Sequence, residues 1–244
     1  MSAAAVALAI PTLGFAAGGG GSGGSGGAGM GGTAGITTLP IQSGDRTVSA
    51  TGSGITIVSH ASGFLRNQVR FTGSVSSSAA GQTVEIERRG HETNWSWAPT
   101  AHSTVASDGS FSVVWPANHI GRFAFRATLQ SASGLRAAAA SPMVTVTVYR
   151  VARATLYGPG FYGKHTACGI KLTRSTIGVA NRTLRCGEHV SVYFQGHTLS
   201  VPVIDRGPYA NGADFDLTMA TGKALGLTGT SQIGAVSLPH APAG

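Results

Sequence analysis

VPVIDRGPYANGADFDLT, residues 201–218, is where the chain concentrates both its acid chemistry and its turn signals. An apolar run ends in Asp205, and Arg206, Gly207 and Pro208 then turn the backbone. A polar loop leads to a second pair of acids, Asp214 and Asp216, ahead of a helical pattern over Leu217–Leu225. The whole chain has nine acidic residues, and three of them fall in these eighteen positions. Acids this scarce and this clustered, beside a glycine that lets a backbone approach closely, point to a site. The plainer reading is that Asp205 and Asp214 cap turns and Asp216 caps the helix.

The rest of the composition narrows the partners. Of 244 residues only 11% are charged and 37 are glycine, a pattern of short strands and turns. The net charge is +8, but Lys and Arg are dispersed, without the runs that mark a nucleic-acid arm. An acidic cell wall is the expected partner and nucleic acid is not. The two cysteines, Cys168 and Cys186, fit no paired Cys-x-x-Cys zinc pattern. In an exported protein they would close one loop of under twenty residues, worth about 3 kcal/mol; in a reducing compartment they would be two buried thiols.

AAAVALAIPTLGFAA, residues 3–17, has the length and small-residue ending of a signal-peptide core, with cleavage near Ala16 or Ala17. Pro11 and Gly14 break it too early for a membrane span. The first basic residue is Arg46, so residues 1–17 read as a signal peptide lacking its basic start, and no membrane span is expected after its removal. Residues 18–36, almost all Gly, Ser and Ala, read as a flexible tether.

Residues 37–149 alternate at period two in short runs: Thr56–Val58, Val69–Val75, Thr83–Arg88, Ser110–Trp115, Arg122–Ala127 and Met143–Val148. Turn signals separate them at Ala80–Gln82, Asp108–Ser110, Ile120–Arg122 and Ser133–Gly134. Six or seven strands at this spacing predict an antiparallel β-sandwich, resembling the immunoglobulin-like modules of secreted bacterial proteins. Trp95, Trp97 and Trp115 could stack on sugars or fill the core. His91, His102 and His119 lack the spacing and acidic neighbours of a metal site, and no metal or organic cofactor is expected. Arg150–Arg153 reads as a joint. Residues 152–240 then read as a second β-rich unit, with strands at Ala154–Tyr157, Glu188–Phe194, Thr198–Ile204 and Ile233–Leu238, closed into a small barrel.

Three segments of this second unit carry a family resemblance. ATLYGPGFYGKHTACG (154–169), ANRTLRCGEHVSV (180–192) and VPVIDRGPYANGADFDLTMATGKALGL (201–227) are similar to the double-psi β-barrel of the rare lipoprotein A-like septal lytic transglycosylases. Expansins, barwin-type proteins and family 45 glycoside hydrolases are wider relatives. The resemblance implies an all-β chain, an immunoglobulin-like sandwich followed by a six-stranded double-psi β-barrel. It also implies a secreted, monomeric, cell-wall-associated protein acting on peptidoglycan glycan. By the resemblance, Thr155, Asp205 and Asp216 line the glycan groove, the two aspartates eleven residues apart. The family's glutamate, aspartate and histidine positions are here Ile170, Thr173 and Asn181. Cys168 and Cys186 replace an asparagine and an apolar residue, and the paired change implies that they bond to each other.

Lytic transglycosylation needs one acid that protonates the leaving oxygen and then acts as base while the muramyl 6-hydroxyl attacks. Asp205 ends a buried strand, so it is the expected acid, with Arg206 opposing that role unless it points away. Asp216 would orient the sugar or stabilise positive charge at the anomeric carbon. Tyr157, Tyr162, Tyr209, Arg206 and Asp214 are expected substrate contacts. The alternative is an expansin-like groove that holds wall glycan without cutting it.

Overall fold

The structure, a computed structural model, describes residues 46–130, 136–209 and 212–238. The expected signal peptide, the tether and the Ser133–Gly134 turn lie outside the described residues.

Alternation drives the first half. The strands are β1 (Thr47–Gly52), β2 (Ile55–His60), β3 (Ser62–Phe64), β4 (Gln68–Ser74), β5 (Thr83–Arg89), β6 (Ala98–Thr104), β7 (Ser110–Pro116), β8 (Gly121–Gln130), β9 (Arg136–Ala140) and β10 (Val144–Tyr157). One antiparallel sheet runs β1-β2-β4-β7, and a second sequence of pairings runs β10-β8-β5-β6. Val69, Phe71, Val113 and Trp115 from the first meet Ile86, Phe123, Phe125 and Val146 from the second in one buried cluster. The Phe71 and Phe125 rings sit 4.6 Å apart and the Trp115 and Phe125 rings 5.3 Å. Each such side chain contributes roughly 1.5–3 kcal/mol by leaving water. β1, β3, β6 and β9 were not expected from the sequence. Among the described residues Ala98–Thr104 pairs with β5 alone, and its Ala, Pro and Ser residues give no strand signal of their own.

The second half continues with β11 (Val179–Ala180), β12 (His189–Phe194), β13 (His197–Asp205), β14 (Phe215–Thr218), α1 (Met219–Leu225) and β15 (Ser231–Ser237). Starting from β10, the pairings go to β15, β12, β13, β11 and β14, and β14 returns to β10. Each of the six strands has two neighbours, so the ring has no open edge. Two pairings, β10–β14 and β11–β13, are parallel, which makes the barrel mixed. Ala152, Ala154, Val179, Val190, Val192, Val201, Val203, Phe215, Leu217 and Ile233 fill its core.

Two expectations are corrected. The helix expected in this mostly β chain begins at Met219, two residues later than expected. Leu217 belongs to β14 because it pairs with both Val179 and Leu156. Thr218 caps α1, its Oγ1 accepting the Thr221 N–H at 3.2 Å. The expected strand Ala154–Tyr157 is the end of the fourteen-residue β10, and the expected joint, Arg150–Arg153, lies inside it. Val144, Val146 and Val148 of β10 fill the first core, and Ala152 and Ala154 fill the second. Between them Tyr149 packs with Phe64, Tyr193 and Val236 in a third cluster.

Candidate active site

Strand register places the acids. β11 is only two residues long and lies between β13 and β14, so Ala180 pairs with Asp205 on one side and Asp216 on the other. Thr155 of β10 pairs with Asp216 from the far side. The row across the barrel wall is therefore Asp205, Ala180, Asp216, Thr155. Two strand spacings separate the aspartate backbones, about 10 Å, with only a methyl side chain between them.

Asp205 reaches this row through an irregularity. By alternation it shares a face with Val201 and Val203, both fully buried in the barrel core. The register shifts between Val179 and Ala180, adding a residue on the β13 side, and Asp205 emerges half-buried. Bulges of this kind re-aim side chains beside active sites. Its Oδ1 accepts two backbone N–H groups, from Ala167 at 2.9 Å and Arg206 at 2.8 Å. Oδ2 is then the oxygen left to face a ligand.

Asp216 is also half-buried. Burial pushes its carboxyl above the usual carboxylate range, and the Asp205 charge adds to that push. The Thr155 hydroxyl, donating to Oδ1 at 2.8 Å, opposes it. The sequence reading expects desolvation to act on Asp205; in the structure burial raises Asp216. Tyr157, two residues beyond Thr155, has its phenol pushed up by burial, then by the charges of Asp205 and Asp216. Its hydroxyl is buried and has no hydrogen-bond partner among the described residues. The three groups thus share one electrostatic site, and Tyr157 stays neutral there.

The surrounding residues divide into braces and rim. Cys168 and Cys186 form a disulfide with Cα atoms 5.7 Å apart. It ties the 158–178 loop, including the Ala167 donor, to the segment after β11. The Arg206 guanidinium points into that brace, donating to the Asn181 carbonyl and contacting Cys186 Sγ, each at 3.3 Å. Asn181, 7% exposed, accepts the Thr183 and Leu184 N–H groups and donates to the Asp214 carbonyl. The Asp214 carboxylate takes the Arg153 N–H at 2.9 Å and faces Arg150 at 3.5 Å. The sequence reading missed Arg182, whose Nη1 donates to the carbonyls of Pro208 and Ala213 and so closes the acidic loop. Its place in the Arg-Thr-Leu motif was the available signal.

Tyr162 lies under Arg174 at 5.4 Å and close to Gly158, where a Cβ would stand 2.7 Å from the Tyr162 hydroxyl and 2.9 Å from Met219 Cγ. Phe161 packs edge-on to Tyr157. Phe161 and Met219 are substantially exposed, and Tyr209 is 80% exposed on the acidic loop. Ile170 is exposed, and the Thr173 hydroxyl is taken up by Ser175 and Thr176.

Residues 150–238 match the family described as lytic transglycolase. The probable endolytic peptidoglycan transglycosylase RlpA of Synechocystis sp. is 37% identical over 87 residues, 35% of this chain and 27% of that protein. Its counterpart from Aquifex aeolicus is 38% identical over 76 residues, 30% of this chain and 34% of that protein. The endolytic peptidoglycan transglycosylase RlpA of Pseudomonas aeruginosa is 35% identical over 97 residues, 38% and 28% of the two chains. The chain thus spans about a third or less of the curated relatives it matches. Among solved structures, the apo expansin of Clavibacter michiganensis is 26% identical over 38% of this chain and 52% of that one, with a TM-score of 0.31. The C-terminal part of the chain, residues 150–238, carries an RlpA-like double-psi β-barrel of the lytic transglycolase family.

Proposed function

We propose that the barrel cleaves the glycan strands of peptidoglycan by lytic transglycosylation. The observation that carries this is the row Asp205–Ala180–Asp216, two carboxylates of unequal environment flanking a methyl group. Asp216, raised by burial, is the acid. It gives its proton to the glycosidic oxygen as the bond from C1 to that oxygen breaks. Asp205, its Oδ1 held by the Ala167 and Arg206 N–H groups, stabilises the positive charge at C1. The muramyl 6-hydroxyl then bonds to C1, and its proton returns to Asp216. No water is consumed, and the products are a 1,6-anhydro end and a free hydroxyl on the departing strand. Phe161, Tyr162, Tyr209 and Met219 form the rim that the bound sugar stacks on, with Tyr157 beneath it.

The protein is further read as exported, monomeric and wall-associated, with residues 1–17 as signal, 18–36 as tether, 37–149 as an immunoglobulin-like module and 152–240 as the barrel. The disulfide supports export, because such bonds persist in oxidising compartments. The facing sheets with β3 alongside β10 support the module assignment. No helix among the described residues is long and apolar enough to cross a membrane.

A second reading, an expansin-like groove that binds without cutting, is favoured by Ile170, Thr173 and Asn181. None of them can titrate, and Asn181 is spent on backbone contacts. Digestion of peptide-free glycan strands, read by mass spectrometry, separates the two. Anhydro-muramyl ends produced by the native chain and lost in Asp216→Asn establish the transglycosylase. No products, with the protein still sedimenting with the strands, leaves the binder.

A further inference from the structure

A cleft of about 600 Å³ opens between the β10-β8-β5 strands with their connecting turns and the barrel, and none of the proposed catalytic residues lines it. Arg89, Trp95, Arg122 and Met143 come from one side, His189 and Ser237 from the barrel. The charge of this wall is one-sided. Its acid, Glu92, is held by Arg88 at 2.8 Å. Among the described residues neither Arg89 nor Arg122 has a carboxylate partner. Arg89 is braced from below: its guanidinium lies 5.1 Å from the Trp97 ring, and Arg126, bonded to Glu87 at 2.7 Å, lies 4.3 Å from the same ring. Stacking holds the plane of a guanidinium and leaves its N–H edge for an anion. His189 Nδ1 is engaged with Ser200 at 3.2 Å, which leaves its Nε2 for a ligand.

The cleft also has an aromatic and aliphatic part. Asn94 and Trp95 have φ of +50° and +59°, a left-handed pair that residues other than glycine seldom adopt. The Gly90 carbonyl, accepting the Trp95 N–H at 2.9 Å, fixes that turn, so the fold spends strained backbone to set Trp95 in the cleft wall. Ile120 and Met143 line the same space and are 42% and 56% exposed. An indole and two exposed aliphatic chains suit the apolar face of a sugar ring, and two guanidinium groups suit a carboxylate on it.

We propose that the seam cleft is a second ligand site, taking sugar units that bear a carboxylate. Such units occur as the muramyl sugars of a peptide-free glycan strand, whose lactyl carboxyl is free, and as the uronic acids of anionic wall polymers. Binding here is separate from the chemistry at Asp205 and Asp216, so either proposal can fail while the other stands.

The test is titration of the full chain with N-acetylmuramic acid, glucuronic acid and neutral N-acetylglucosamine. The readout is the indole N–H resonance of Trp95, assigned by its loss in Trp95→Asn, a residue type that tolerates the left-handed turn. At least one acidic sugar shifts that resonance and binds at least tenfold more tightly than the neutral one. Arg122→Glu, on an exposed side chain, weakens that binding at least tenfold, and Asp216→Asn leaves it unchanged. A response to the muramic acid alone identifies the glycan strand as source, and one to glucuronic acid alone the anionic polymer. A response to both supports the general acidic-sugar site. No response, equal binding of the neutral sugar, or full binding by Arg122→Glu overturns the proposal.

Discussion

One carboxylate, Asp216, is asked both to fold and to react, and asparagine separates the two demands. Asparagine keeps an acceptor for the Thr155 hydroxyl but cannot hand over a proton. Asp216→Asn should therefore lose anhydro-product formation by on the order of 10²–10⁴-fold. Its stability should move the other way. Burial raises the proton affinity of Asp216 in the folded chain. The stability it contributes is then fully present below the usual carboxylate range and is lost as pH rises through the raised folded value. Above that value the variant should melt at a higher temperature than the native chain, and the gap should close as pH falls. Calorimetry across pH measures this; a gap that widens in acid would contradict the assignment. Activity of the native chain should fall on the alkaline side of the same titration, since the acid must begin protonated.

Tyr157 makes a complementary case. Its hydroxyl is buried without a partner among the described residues, so Tyr157→Phe removes a desolvated, unsatisfied group. Thermal stability should stay the same or rise. If bound sugar satisfies that hydroxyl, kcat/KM should fall about tenfold, equivalent to about 1.4 kcal/mol. Unchanged kinetics would remove Tyr157 from the site. Asp205, Asp216, Thr155 and Tyr157 were all legible as candidates because motif and spacing mark them. The burial of Asp216 was not, because it depends on β10, β11 and β14, strands distant from one another in sequence.

Two short elements, β11 and β14, stand at the centre of this site, and the sequence hid both. β11 has two residues and β14 four, too few to show a period, and each forms because its neighbours are already in place. The reading of Leu217 as helical fails for the same reason: local propensity saw an apolar helix start, while pairing to β10 and β11 made it strand. β12, with Val190 and Val192, and β13, with Leu199, Val201 and Val203, carry alternating apolar residues and were read almost to the residue. The disulfide supplies order where secondary structure is short. It anchors the loop whose Ala167 N–H holds Asp205, and it offers Cys186 Sγ to Arg206. Cys168→Ser with Cys186→Ser should cost on the order of 3 kcal/mol and lower glycan activity at temperatures far below unfolding. Reductant should lower the melting temperature of the native chain to about that of the double variant and leave the double variant unmoved. A native chain indifferent to reductant would show that the bond does not support the fold.

At the scale of the whole molecule, β10 is what the two halves share. A flexible joint at Arg150–Arg153 would allow the sheets and the barrel to melt separately. The continuous strand instead carries side chains of both cores, and Tyr149 seals the seam between them. Its ring lies 5.6 Å from Tyr193 and 5.9 Å from Phe64, and its hydroxyl meets Ser191 at 3.2 Å. Unfolding the barrel would strip Tyr193 and Val236 from this cluster and release half of β10, so the first sheets could not keep their own edge pairing intact. The described part of the chain should accordingly unfold in one calorimetric transition whose van't Hoff and calorimetric enthalpies agree. Tyr149→Ala removes the ring that joins the cores and should destabilise by about 3–5 kcal/mol, as large aromatic truncations do. Because the loss falls at the seam, it should also split the transition in two. Two transitions already present in the native chain would mean that β10 runs through both halves without coupling them, and the seam cleft would then lose the rigid walls that its ligand needs.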